Sequence, residues 1–247
     1  MLRINQFGHL DRWAVQDPDD DILLPRTLRF GMPIGGARFF APYHGIPDFD
    51  DPSWEHLVAT QQDHLKHGDS IFQKMSVEEG SRRQKYHFKF DGSPNYPWQY
   101  RAVISAQEFS QGIDGTCGLS YDLTVTRQPT CSHSHNMPYR SAVQMHFALK
   151  NENFKLTVGK KVIMDEQVYE LGTMPFYPLP GNCPENVVLK TGNRTISITT
   201  LGADHVMLCT HDLTQVCIEL IYGEKHGKSL APRESHQLMC GLVVTHD

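Results

Sequence analysis

The sequence predicts an all-β protein built as a large antiparallel β-sandwich or barrel. Three observations lead there. Short runs alternate apolar and polar residues with a period of two, which puts every second side chain on one face of a strand. Clusters of Gly, Pro, Asn and Asp separate these runs at short intervals. Helical periodicity is scarce: Trp54 to Lys66 is the one early stretch with helical character, with Trp54, Leu57 and the aliphatic part of Thr60 on one side.

Taken in order, residues 1–28 read as an irregular or partly truncated lead-in that turns polar and acid-rich at Asp17 to Asp21. Residues 31–60 hold four glycines and four prolines around Asp48 to Asp51, a composition for loop. Tyr86 to Phe90 and Arg101 to Glu108 alternate as half-buried strands should. In Leu119 to Arg127, the apolar Leu119, Tyr121, Leu123 and Val125 face one way and Ser120, Asp122, Thr124 and Thr126 the other. Ala142 to Leu149, Phe154 to Val158, Asn186 to Leu189, Thr195 to Leu201, His205 to Thr210 and Gln215 to Tyr222 are each of strand length. Val206, Leu208, Val216, Ile218 and Ile221 supply their large apolar content. Lys190-Thr191-Gly192-Asn193 reads as a hairpin connection. No low-complexity linker and no internal repeat divides the chain, so one domain over residues 1–247 is expected.

Composition narrows the function. With 39% hydrophobic and 21% charged residues the chain is too apolar for disorder. Lys plus Arg is 23 and Asp plus Glu is 28, giving 23 − 28 = −5, so there is no basic field for a phosphate backbone and no nucleic-acid partner is expected. No run approaches ~18 uncharged apolar residues, so no membrane span is expected. The N-terminus lacks the apolar segment of a signal peptide. The six cysteines form no CxxC pair. Together these point to a reducing, cytoplasmic compartment.

The familiar local motifs are absent: no GxGxxG, no GxxxxGK[ST], no HExxH, no GxSxG and no EF-hand loop. Histidine, at 14 residues, is in excess. Cys131, His133 and His135 form the strongest local metal candidate, since all three are zinc-compatible and alternate histidines share a strand face. The sequence places no further ligand beside them, so a polar connection between strands is the plainer reading and no metal is assigned. His64, Lys66 and His67 cluster next to Gly68. His146 interrupts an apolar strand, and so does Glu219. A glutamate among such neighbours either lies on a solvent face or sits in a lined pocket where its proton affinity is tuned.

In this order the segments resemble the aldose 1-epimerase (galactose mutarotase-like) superfamily, nearer its hexose-phosphate mutarotase-like members. The resemblance rests on Arg29-Phe30-Gly31-Met32-Pro33-Ile34, His67-Gly68, Asn95-Tyr96-Pro97-Trp98-Gln99-Tyr100, His146-Phe147, Val216-Cys217-Ile218-Glu219 and Leu230-Ala231-Pro232-Arg233-Glu234. It implies a large antiparallel sandwich with a sugar-binding cleft and cofactor-free interconversion of sugar anomers. It also implies catalytic roles for Glu219, His146 and His67, with a small-molecule sugar held by Arg29, Arg38, His64, Lys66, Trp98 and Asp165. The sequence departs from the family pattern at Ile71, where an arginine usually follows the His-Gly pair, and at Phe147 and Leu220, which follow His146 and Glu219 directly. Ile71 motivates one alternative, a carbohydrate-binding protein without turnover. The histidine excess motivates another, a metal-dependent sandwich of the cupin type. No oligomer interface is readable.

Overall fold

Alternating polarity becomes antiparallel strand throughout. The computed structural model describes residues 2–5, 8–14, 21–25, 27–29, 32–41, 73–79, 83–92, 98–111, 116–129, 136–149, 154–165, 176–179, 187–209, 214–223 and 228–246. Strands are numbered along the chain. An eight-stranded sheet runs β1 (Leu2–Ile4), β2 (Leu10–Ala14), β3 (Asp21–Leu23), β12 (Ser141–Ala148), β19 (Gln215–Tyr222), β18 (His205–Cys209), β15 (Phe176–Pro178), with β6 (Ala37–Phe40) pairing both β12 and β2. A nine-stranded sheet runs β14 (Lys161–Asp165), β13 (Phe154–Val158), β16 (Val187–Thr191), β17 (Arg194–Leu201), β21 (Ser235–His246), β10 (Thr116–Arg127), β9 (Tyr100–Gln111), β8 (Arg83–Phe90), β7 (Gln73–Glu79). Two small ribbons pair β4 (Thr27–Arg29) with β5 (Met32–Ile34), and β11 (Met137–Tyr139) with β20 (Lys228–Leu230). The architecture is an all-β sandwich of two antiparallel sheets, as expected.

The two sheets meet on the apolar sides of their strands. Leu119, Tyr121, Leu123 and Val125 of β10 are fully buried, and so are Val143, Met145 and Phe147 of β12. Cys240 Sγ lies 3.4 Å from Met145 Sδ, and the Phe39 and Tyr121 rings lie 4.3 Å apart, centroid to centroid. Each large aliphatic side chain buried this way contributes about 1.5–3 kcal/mol. Polar ties cross the same gap: Tyr121 Oη donates to the Gly8 carbonyl at 2.8 Å, and Trp13 Nε1 donates to Glu108 Oε1 at 3.1 Å.

Strands read from clean alternation fall where expected, β13 and β19 with the same ends. Gly192 and Asn193 turn the hairpin between β16 and β17. Two expectations are corrected. The lead-in 1–28 contains β1, β2 and β3, and the segment 31–60, expected as loop, contains β5 and β6. These short strands lack a pattern of their own and are templated by a long partner: β6 pairs β12 over Ala37–Phe40, and Leu23 pairs Phe147. Their backbone groups are thereby satisfied inside the molecule. Gly36, at φ +66°, makes this possible, because a Cβ there would lie 2.0 Å from the Leu10 carbonyl oxygen. Arg12 of β2 clasps Asp21 of β3, Nε to Oδ1 at 2.5 Å, and Arg194 Nη1 of the other sheet donates to the Asp21 carbonyl at 3.0 Å. The helical stretch Trp54 to Lys66 lies outside the described residues. Among the described residues, no helix is long and apolar enough to cross a membrane.

Candidate active site

Strand β19 is buried on both faces up to Tyr222, and β12 at all but Gln144 and Ala148. Their residues Val143, Met145, Phe147, Val216, Ile218 and Leu220 fill the core between the sheets. By strand alternation, Ala142, Gln144, His146, Cys217, Glu219 and Ile221 take the opposite face. Glu219 and His146 are each only 4% exposed, so neither points into bulk solvent. The solvent-face alternative for Glu219 is removed by that number.

Register lines the polar residues up. Gln144 pairs with Arg38 on one side and with Glu219 on the other, and Glu219 pairs with Met207 beyond. Arg38 Nε donates to Gln144 Oε1 at 2.8 Å, and Gln144 Nε2 donates to Glu219 Oε1. One hydrogen-bonded chain therefore crosses β6, β12 and β19. An apolar patch of Phe40, Ala142 and Ile221, with Met207 packed on it, flanks this row on the same face. The Arg38 guanidinium carbon stands 4.8 Å from the Phe40 ring centroid.

His146 is the next residue on that face of β12. It pairs with Cys217 and so stands diagonal to Glu219, a relation that separates Cα atoms by roughly 7–8 Å and leaves side chains within reach. Its backbone is held from both sides: His146 N donates to Gly36 O at 2.9 Å, and Leu24 N donates to His146 O at 3.0 Å. Its Nδ1 lies 3.3 Å from Gln215 Oε1. An amide oxygen can only accept, so in that contact Nδ1 is the donor.

The structure thus brings together Glu219, His146 and Arg38 of the residues singled out in the sequence. His67, His64 and Lys66 lie outside the described residues, as do Cys131, His133 and His135. Arg29 lies in ribbon strand β4, paired with Met32, and is not tied to this row by register. Asp165 lies at the end of β14, at the edge of the other sheet, paired with Lys155, and is not brought to the row either. Trp98 is 3% exposed and packs within the main hydrophobic cluster, where a large ring buries the most apolar area. Phe39 is likewise core, against Tyr121. Sequence reasoning missed the parts of Gln144 and Gln215. The available signal was their spacing, two residues before His146 and four before Glu219, which places each on the face of its neighbour. Among the described residues, no group of three or more His, Cys, Asp or Glu is arranged to hold a metal ion.

No protein-family model matches the chain, and no curated protein matches it. Solved structures do. The Slr1438 protein from Synechocystis sp. PCC 6803 superposes with a TM-score of 0.69 at 14% identity, covering 100% of this chain and 91% of its own. A galactose mutarotase related enzyme from Lactobacillus acidophilus gives 0.67 at 13% identity, covering 100% and 94%. A galactose mutarotase-like protein from Lactobacillus casei ATCC 334 gives 0.64 at 12% identity, covering 98% and 96%. The fold is that of the galactose mutarotase-like, aldose 1-epimerase superfamily.

Proposed function

We propose that the protein is an aldose 1-epimerase-type isomerase that interconverts the anomers of a sugar by acid–base ring opening. The observation that supports this most is the placement of Glu219 and His146 on one buried face of two adjacent strands. In this reading Glu219 takes the proton from the anomeric hydroxyl while His146 protonates the ring oxygen, and the C1–O5 bond breaks. The aldehyde turns about C1–C2, and closure on its other face reverses both transfers. Two groups of opposite proton demand on one substrate are what such a reaction requires. His67 donates a hydrogen bond to the oxygen that gains charge. The apolar patch of Phe40, Ile221 and Met207 meets the C–H face of the sugar.

An unphosphorylated aldose is the substrate we favour over the sugar phosphate that nearness to the hexose-phosphate members would suggest. The chain is acidic at −5, and Ile71 stands where an arginine would hold a phosphate. We assign the protein to a reducing, cytoplasmic setting, in keeping with six cysteines that form no CxxC pair. Polarimetry tests the reading: freshly dissolved α-sugars are expected to relax faster with the protein and at the uncatalysed rate with Glu219→Gln. Equal rates for the two proteins would overturn it.

A further inference from the structure

Gln144 stands between a cation and a carboxylate, and its amide can point only one way. A guanidinium has donors and no acceptor, so Arg38 holds the amide oxygen on its own side. The amide NH2 is thereby turned toward Glu219. An amide N–H bonds a carboxylate more strongly than a neutral carboxyl group. The contact therefore favours the ionised form of a residue whose burial alone would favour the protonated one.

We propose that Gln144, oriented by Arg38, is a positioning residue that keeps Glu219 ionised and aimed as the base. The inference rests on the base role proposed above for Glu219. It also reassigns Arg38 from sugar contact to orientation of Gln144, since its Nε is committed to the amide and its guanidinium lies against the Phe40 ring. Gln144 and Arg38 are 106 residues apart in sequence, and Gln144 and Glu219 are 75 apart, so only the assembled sheet makes the chain.

Several groups face Glu219 from the packed elements. Arg38 comes from β6, His146 from β12, and Met207 with His205 from β18; Cys217 and Ile221 lie on β19 itself. Of these, His146 and His205 carry imidazole rings, so their ring signals are followed alongside the carboxylate.

The test is a carbon-13 titration of glutamate side-chain carboxyls in wild type, Gln144→Met and Arg38→Met, with Glu219→Gln to assign the signal. The Glu219 midpoint is expected to rise by about one unit in Gln144→Met and by less in Arg38→Met, with the histidine midpoints in place. The acid limb of the mutarotation rate should move up in pH by the same amount while KM stays nearly constant. A Glu219 midpoint within ~0.2 units of wild type in the folded variants overturns the inference, with or without turnover. If Gln144→Met does not fold, Arg38→Met decides the matter, because it leaves Gln144 in place. A shifted midpoint in a protein that turns over no aldose supports the hold of Gln144 on Glu219 and overturns the isomerase reading.

Discussion

The two sheets use the same alternation differently. In the nine-stranded sheet, β10 buries Leu119, Tyr121, Leu123 and Val125 and leaves Ser120, Asp122, Thr124 and Thr126 half-buried on the other face. In the eight-stranded sheet, β19 buries seven of its eight residues, and the side turned away from the core is buried as deeply as the core side. A polar residue on the outer face of β10 therefore keeps access to water, whereas the buried Glu219 and His146 have to find partners inside the protein. One sheet is a scaffold with a wet back; the other carries polar groups that have lost water on both sides. That difference separates the residues expected to do chemistry from those that hold the shape.

The sharpest way to break the comparison is to remove one carboxylate from each sheet. Glu219→Gln is expected to lower the mutarotation rate by about 10²–10⁴-fold, whereas Asp122→Asn is expected to leave it unchanged, both read by polarimetry. Core truncation should reverse the ranking. Leu123→Ala, on the face that β10 turns to the other sheet, is expected to cost about 2–5 kcal/mol in urea unfolding.

A smaller effect separates the faces by pH. Burial raises the Asp122 carboxyl above its ordinary 3.8, against the lowering effects of the Ser120 hydroxyl at 3.1 Å and of Arg83. Between the ordinary and the raised value the folded chain keeps a proton that the unfolded chain loses. The stability from that proton is therefore full below about pH 4 and is lost as pH rises through the raised value. Unfolding of Asp122→Asn, compared with wild type over a pH series, should lack this fall. The smallest effect is on thiols. Burial, helped by the charge of Glu108, pushes the Cys117 thiol up to about 11. Its alkylation by iodoacetamide at about pH 8 should be at least ~10-fold slower than that of a free thiol, followed by mass spectrometry. Cys217 and Cys240, both buried, should react only on unfolding.

How much of this was readable in the sequence follows the same division. Strand β10 announces itself because one face is wet, so polarity alternates. Strand β19 reads as a strand from its apolar content, and Glu219 stands out because it breaks that content. Strands β2, β3 and β6 were not readable. They are short, lie among prolines and glycines, and exist through pairing with one another and with β12. Their propensity is overridden by tertiary contact. The Arg38–Gln144–Glu219 chain was hidden for a related reason, since no local pattern couples residues on three strands that meet only in the finished sheet.

The diagonal placement of His146 and Glu219 on paired strands has a consequence of its own. Their separation is a lattice spacing of the sheet, locked by the main-chain ladder between β12 and β19 and by the Gly36 and Leu24 bonds around His146. Loops can be exchanged, lengthened or recoloured without retuning that distance. On the proposed function, a chain built this way separates the reaction from the choice of substrate, since sequence change around the sheet can alter what is bound while the spacing of the pair stays fixed.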